Sequence, residues 1–214
     1  MPDSLTLSRH AAVVADLARD EPGFATIVDA FGPPAFWTRP PGFATLVLVI
    51  LEQQVSLASA AAAYARLELR VGTVTPSSVF ESTDEELRAD GFSRQKAGYV
   101  RSLADAVLDG RLDLGALHSA TDDTARRILV DQKGIGPWSA DVYLLSCLRR
   151  PDIWPIGDRA LQVAAQETFS LPTVPRPDEL EDLGSRWRPH RSTAARLLWH
   201  GYLARRGRPV SDAT

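Results

Sequence analysis

A single cysteine, Cys147, stands among the 214 residues. One thiol excludes an internal disulfide and any cysteine-ligated zinc or iron–sulfur cluster, which need several thiolates. It lies in the apolar run YLLSCL, where a small buried hydrophobe is the expected role. No stretch approaches the roughly 20 consecutive apolar residues that span a bilayer, so no membrane partner is expected. The opening MPDSLTLSRH lacks the basic-then-apolar order of a secretion signal, and a reducing cytoplasm is the expected compartment. Lysine is scarce as well: of 24 basic residues only Lys96 and Lys133 are lysines. His10, His118, His190 and His200 have neither metal-ligand nor triad spacing, and only His190, beside Arg191, suggests an anion contact. Alternating strand-like runs are few.

An overall basic balance is also missing, since the net charge is −3. The charges are nevertheless segregated along the chain. Between Ser185 and Arg208 fall seven arginines and no acid, whereas acids gather at Glu81–Asp90 and Asp178–Asp182. A polyanion feels the local surface rather than the sum.

What is abundant is helical periodicity. Ser4 to Ala18 reads as a first helix, ended by ARDEPG and followed by the Pro- and Gly-rich loop FGPPAFWTRPPG. Phe43 to Gln53 is strongly apolar, and Ser56 caps a helix to about Leu69. Thr83 with Glu86 forms a capping box for a short helix ending at Gly91. Ser93 opens an amphipathic helix with Ala97, Val100, Leu103, Ala104, Val107 and Leu108 inward, and Arg94, Lys96 and Arg101 outward. Thr121 to Val130, Pro137 to Leu148, Asp158 to Phe169, Pro177 to Leu183 and Arg191 to Arg205 complete an all-α reading. No fixed-period repeat or linker divides it.

The segment ILVDQKGIGPWSADVYLL joins two of these helices through Gly134-Ile135-Gly136. Two glycines permit φ > 0 and leave room for another backbone, and the amides after them open a helix at Pro137, where unpaired N–H groups favour a phosphate. Ile135 should point inward and pin the hairpin; an ordinary helix corner would also satisfy the pattern. Twenty residues on, WPIG leads into Asp158 at the head of another helix, as a plain N-cap or as a functional carboxylate. Asp152 and Asp141 are the rival acids.

DQKGIGPWSAD resembles the helix-hairpin-helix element of the DNA glycosylase superfamily. ILEQQVSLASAAA, GFSRQKAGYVRSLADAVLDG, RRPDIWPIGDRALQVA and WRPHRSTAARLLWHGYL resemble further segments of it, in the same order from about Phe43 to Tyr202. The branch most resembled is that of 3-methyladenine DNA glycosylase II. The resemblance implies an all-α, two-lobed fold with an active-site cleft between the lobes. It places the whole chain, 1–214, in a single catalytic core of two helical subdomains, without the extra N-terminal domain of the best-known bacterial member.

It further implies that Asp158 is catalytic and that Trp138 stacks on the flipped base, unless it merely closes the hairpin as a core aromatic. Tyr143 and Trp154 are weaker pocket candidates, and Gln53 would line the pocket mouth. Gln54 matches the wedge that fills the gap left by the flipped nucleotide, although either glutamine would also suit an exposed helix end. Lys133, Gly134, Ile135, Gly136, Arg94, Lys96 and Arg191 fall to DNA binding. In this family the hairpin can hold a monovalent cation through main-chain carbonyls, here those of Val130, Gln132 and Gly134.

Trp138 stands where strand-cleaving relatives carry a Schiff-base lysine, so the expectation is a monofunctional enzyme. Its substrate is expected to be alkylated purine of the 3-methyladenine or 7-methylguanine type in damaged double-stranded DNA. No diffusible cofactor is expected, and the enzyme should be a monomer, bacterial and at the nucleoid through its DNA. A lesion-binding module without catalysis, and a glycosylase for neutral lesions such as hypoxanthine, are the alternatives.

Overall fold

The computed structural model describes residues 3–208. Among these, the regular structure is helical: α1 (Leu7–Asp20), α2 (Pro22–Phe31), α3 (Phe43–Glu52), α4 (Leu57–Val71), α5 (Pro76–Glu81), α6 (Asp84–Ala89), α7 (Arg94–Leu108), α8 (Asp122–Val130), α9 (Pro137–Ser146), α10 (Arg159–Phe169), α11 (Pro177–Ser185) and α12 (Arg191–Ala204), with a 3₁₀ turn at Ala116–His118. No strand occurs among the described residues. The chain forms two compact units, one of residues 40–143 and one of residues 3–39 with 144–208.

Caps set most of the boundaries. Thr6, Ser56, Thr83, Ser93, Thr121 and Asp158 each accept a hydrogen bond from the amide three residues on. Each satisfies one of the amides that a helix start leaves unpaired, an arrangement worth about 1 kcal/mol. The box predicted for Thr83 and Glu86 forms in both directions.

Two helices escaped the sequence reading. In ARDEPG, Glu21 ends α1 and Pro22 starts α2 one residue later. Proline fits the first helical turn because its missing N–H has no partner there anyway. α5, opened by Thr75 and Pro76, arises in the same way.

In the 40–143 unit, α7 packs against α3, α5 and α6. Ala97, Val100, Leu103 and Ala104 are buried as expected, but Leu108 is 49% exposed and Ala106 is buried instead. The buried surface of α7 is therefore wider than one stripe, and its last residue, Leu108, leaves the core.

The other unit is centred on α12, which packs against α1, α2, α10 and α11 and buries Ser192 to Leu198. Phe24, Phe169, Trp154 and Trp187 form an aromatic cluster with ring centroids 5.0–5.5 Å apart. Cys147 is buried.

His10 is enclosed in this unit, with Nδ1 3.2 Å from Thr193 Oγ1 and Nε2 3.4 Å from the Pro34 carbonyl. Burial, and then the nearby Arg196 charge, push its pKa down to about 4. The fold thus holds the neutral ring, while an unfolded chain protonates near pH 6.5. The resulting stability, about 3 kcal/mol, is complete above pH 6.5 and drains away as the pH falls towards 4. Urea midpoints measured from pH 7 to 4.5 should fall more steeply for the wild type than for His10→Gln. Parallel slopes would show that His10 carries none of the acid sensitivity.

Candidate active site and nucleic-acid interface

α8 ends at Val130, and the hairpin turns at once. The Ile135 amide donates to the Gln132 carbonyl at 3.0 Å, closing the turn, and the Ile135 side chain is buried as expected. The two glycines divide between them the left-handed φ and the room for another backbone. Gly134 has φ +89°, and a Cβ there would meet the Tyr99 ring at 2.2 Å. Gly136 lies outside the left-handed region, and a Cβ there would meet nothing within 4 Å. Gly134 is thus required by the protein itself, whereas Gly136 keeps the approach to the α9 amides open.

The end of α3 is tied to this hairpin. Gln53 Nε2 donates to the Gly134 carbonyl at 2.8 Å and to Ser139 Oγ at 2.9 Å. Gln54 is exposed and left-handed, with φ +58°, at the tip of the turn. Lys96 does not simply face outward on α7. Its ammonium donates to the carbonyls of Leu51 and Gln53 at 2.7 and 2.8 Å, and desolvation lowers its pKa. A cation on the last carbonyls of a helix complements the helix dipole, so Lys96 holds the turn that presents Gln54. Arg94 and Lys133 are exposed.

The carbonyls of Gln132 and Gly134 already accept hydrogen bonds from Ile135 and Gln53. A monovalent cation would use their second lone pairs, which the donor set allows.

Trp138 is half-buried on the first turn of α9. Tyr143 is fully buried, and its hydroxyl accepts from the Gly42 amide at 2.9 Å. Trp154 belongs to the aromatic cluster. Its Nε1 donates to the Leu180 carbonyl at 2.9 Å, and its ring lies where a Cβ on Gly184 would be 2.4 Å away. Both rings are therefore buried and hydrogen-bonded to main chain.

Asp158 occupies the N-cap of α10. Its Oδ1 accepts from the Leu161 amide at 2.7 Å and from the Trp199 indole at 3.2 Å. Trp199 received no role from the sequence, although LLWH stood in the closing motif. The rival acids are committed elsewhere: Asp152 to Arg191 at 2.8 Å, and Asp141, buried, to Arg126 at 2.7 Å.

The arginine-rich run is not a free cationic tail. Arg186 pairs with Glu21, Arg188 and Arg191 with Asp152 and Glu181, and Arg205 and Arg206 with Glu167. The two arginines hold the Glu167 carboxyl below its ordinary range. Arg191 is 8% exposed and Arg196 only 1%. Glu181 of the acidic cluster just before the run, and the distant Glu21, Asp152 and Glu167, pair with five of its seven arginines. His190 stands at the N-cap of α12 and His118 closes the 3₁₀ turn.

Residues 47–189 match the family described as "HhH-GPD superfamily base excision DNA repair protein". The Bacillus subtilis protein YfjP is 32% identical over 124 residues, which cover 58% of this chain and 43% of YfjP. The chain spans between 35% and 59% of the length of three curated relatives that it matches. A crystal structure of DNA-3-methyladenine glycosidase from Bacillus halodurans superposes with TM-score 0.75 at 31% identity, covering 97% of this chain and 94% of that one. Schizosaccharomyces pombe 3-methyladenine DNA glycosylase Mag1, in complex with abasic DNA, superposes with TM-score 0.80 at 21% identity, covering 95% and 99%.

Proposed function

The chain belongs to the HhH-GPD superfamily of base excision DNA repair proteins, and on that footing we propose that it is a monofunctional glycosylase for alkylated purines in duplex DNA. The observation that carries the reading is the Asp158 carboxylate, fixed at the head of α10 by a main-chain amide and an indole N–H. Breaking an N-glycosidic bond builds positive charge on the sugar, and a fixed anion stabilises that charge and can orient the attacking water.

In this reading Trp138 stacks on the base. A cationic methylated purine over an indole gains about 0.5–2 kcal/mol. The charge also makes the base a good leaving group, so shape and stacking suffice in the pocket. An indole cannot form a Schiff base with the sugar, so the product is an abasic site with an intact strand. Gln54, exposed at its left-handed turn, is the wedge. The hairpin around Gly136, with Lys133 and Arg94, takes backbone phosphates, and Gln53 supports the hairpin through Gly134 and Ser139. Arg191, Lys96, Tyr143 and Trp154 act in this reading by holding structure, each through the partner described above. The chain is one catalytic core and works as a monomer in the cytoplasm.

The test is chromatography of purines freed from methylated duplex DNA. Release of 3-methyladenine or 7-methylguanine without strand scission is the expected result. Binding to methylated duplex with no base released from it, or from a panel of deaminated duplexes, would instead mark a lesion-binding module. Release of hypoxanthine alone would move the enzyme to neutral lesions.

A further inference from the structure

Arg196 is the largest fully buried side chain among the described residues. Burying a guanidinium is unfavourable unless its surroundings compensate. Desolvation lowers its pKa to about 9. Its partners lie on the segment before α3 and on α9: Nη1 donates to the Trp37 carbonyl at 2.9 Å, and Nη2 to the Leu145 carbonyl at 3.0 Å. The guanidinium also lies over the Trp37 ring at 4.4 Å and the Phe36 ring at 5.1 Å. Trp37 is therefore held twice by one side chain, through its main chain and through its ring.

Arg196 and Trp199 are three residues apart on α12, so they share a face of that helix. Trp37 contacts both, with its ring centroid 5.9 Å from that of Trp199. Trp199 in turn donates its indole N–H to Asp158 Oδ1. A continuous series of contacts thus runs within one unit from the buried guanidinium through Trp37 and Trp199 to the carboxylate.

We propose that Trp37, clamped by Arg196, is a positioning residue: it fixes the Trp199 indole in the orientation that holds the Asp158 carboxylate. The role in catalysis rests on the glycosylase reading above; the mechanical coupling does not. An indole free to turn no longer donates reliably to Oδ1. Losing a hydrogen bond to a charged group, or misplacing a reacting group by about 1 Å, lowers a rate by roughly 10- to 100-fold.

Two measurements on the full chain test this separately. Protein labelled with ¹⁵N-tryptophan has five indole N–H signals, one for each of its five tryptophans, and Trp199→Phe identifies the Trp199 signal. Trp37→Ala should shift that signal and speed its hydrogen exchange, as Asp158→Ala should, while Trp37→Phe should largely preserve it. An unmoved Trp199 signal in folded Trp37→Ala overturns the proposal, whatever the enzyme does.

The second measurement is a double-mutant cycle of single-turnover base release at saturating enzyme. Trp37→Ala should slow release about 10-fold or more in the wild-type background, yet by much less in Trp199→Phe, with affinity for abasic duplex unchanged in both. Equal effects in the two backgrounds would overturn it, because Trp37 would then act independently of the indole. Should Trp37→Ala fail to fold, Trp37→Leu and Arg196→Lys carry the same comparison. No base release by the wild type, with the indole coupling intact, would refute the glycosylase reading and leave the mechanical coupling standing.

Discussion

Asp158→Asn is expected to fold like the wild type and to release methylated purines about 10²- to 10⁴-fold more slowly, the usual contribution of a positioned acid–base group. Asparagine caps helices as well as aspartate does. Its side-chain oxygen can still accept from the Leu161 amide and the Trp199 indole, so α10 and its surroundings should persist. What disappears is the negative charge to which the proposed reaction assigns the stabilisation of the sugar cation. Asp158→Ala makes a useful contrast, because it removes the cap too and should cost about 1 kcal/mol of stability. Thermal melts and binding to abasic duplex check the fold, and single-turnover release checks the chemistry. Undiminished release by Asp158→Asn would place the catalytic group elsewhere. Asp152 and Asp141 would then be candidates, although their ion pairs with Arg191 and Arg126 mean that replacing either one also breaks structure.

Capping and periodicity carried most of the helix assignments because both are local. Ser56, Thr83, Ser93 and Thr121 bond to amides three residues away, and nothing tertiary is needed to read them. α2 is hidden for an equally local reason, since the polar run ARDEPG that ends α1 also holds the Pro22 that starts α2. The position of Asp158 at a helix start was legible; the indole donor on Oδ1 was not, because Trp199 lies 41 residues away. Long-range pairing likewise reversed the reading of charge. The run from Ser185 to Arg208 looks cationic in sequence, yet Glu21, Asp152, Glu167 and Glu181 meet most of its arginines. Lys96 showed the same limit, since a lysine on the polar side of an amphipathic helix gives no hint that a neighbouring helix end needs its ammonium.

Gly134→Ala is expected to be the most disruptive single substitution in the hairpin, costing about 3 kcal/mol and, for a chain of this size, roughly 6–12 °C in melting temperature. Two separate penalties add. Alanine at φ +89° sits in a region that costs an L-residue about 1–2 kcal/mol. Its Cβ would also fall 2.2 Å from the Tyr99 ring, forcing the ring or the turn to move. Tyr99→Ala should relieve the second penalty only in part, because the Cβ it keeps would still lie 2.6 Å from the added methyl, and should leave the first, so the double variant should recover only a small part of the loss. Gly136→Ala separates stability from binding. A Cβ there meets nothing within 4 Å and needs no unusual φ, so the melting temperature should barely change. If the amides at the start of α9 receive a phosphate, that same methyl group intrudes on the approach. Affinity for abasic duplex should then fall although the fold is intact. Unchanged affinity in Gly136→Ala would move the phosphate contact away from the hairpin, since the open space beside Gly136 would then serve no partner.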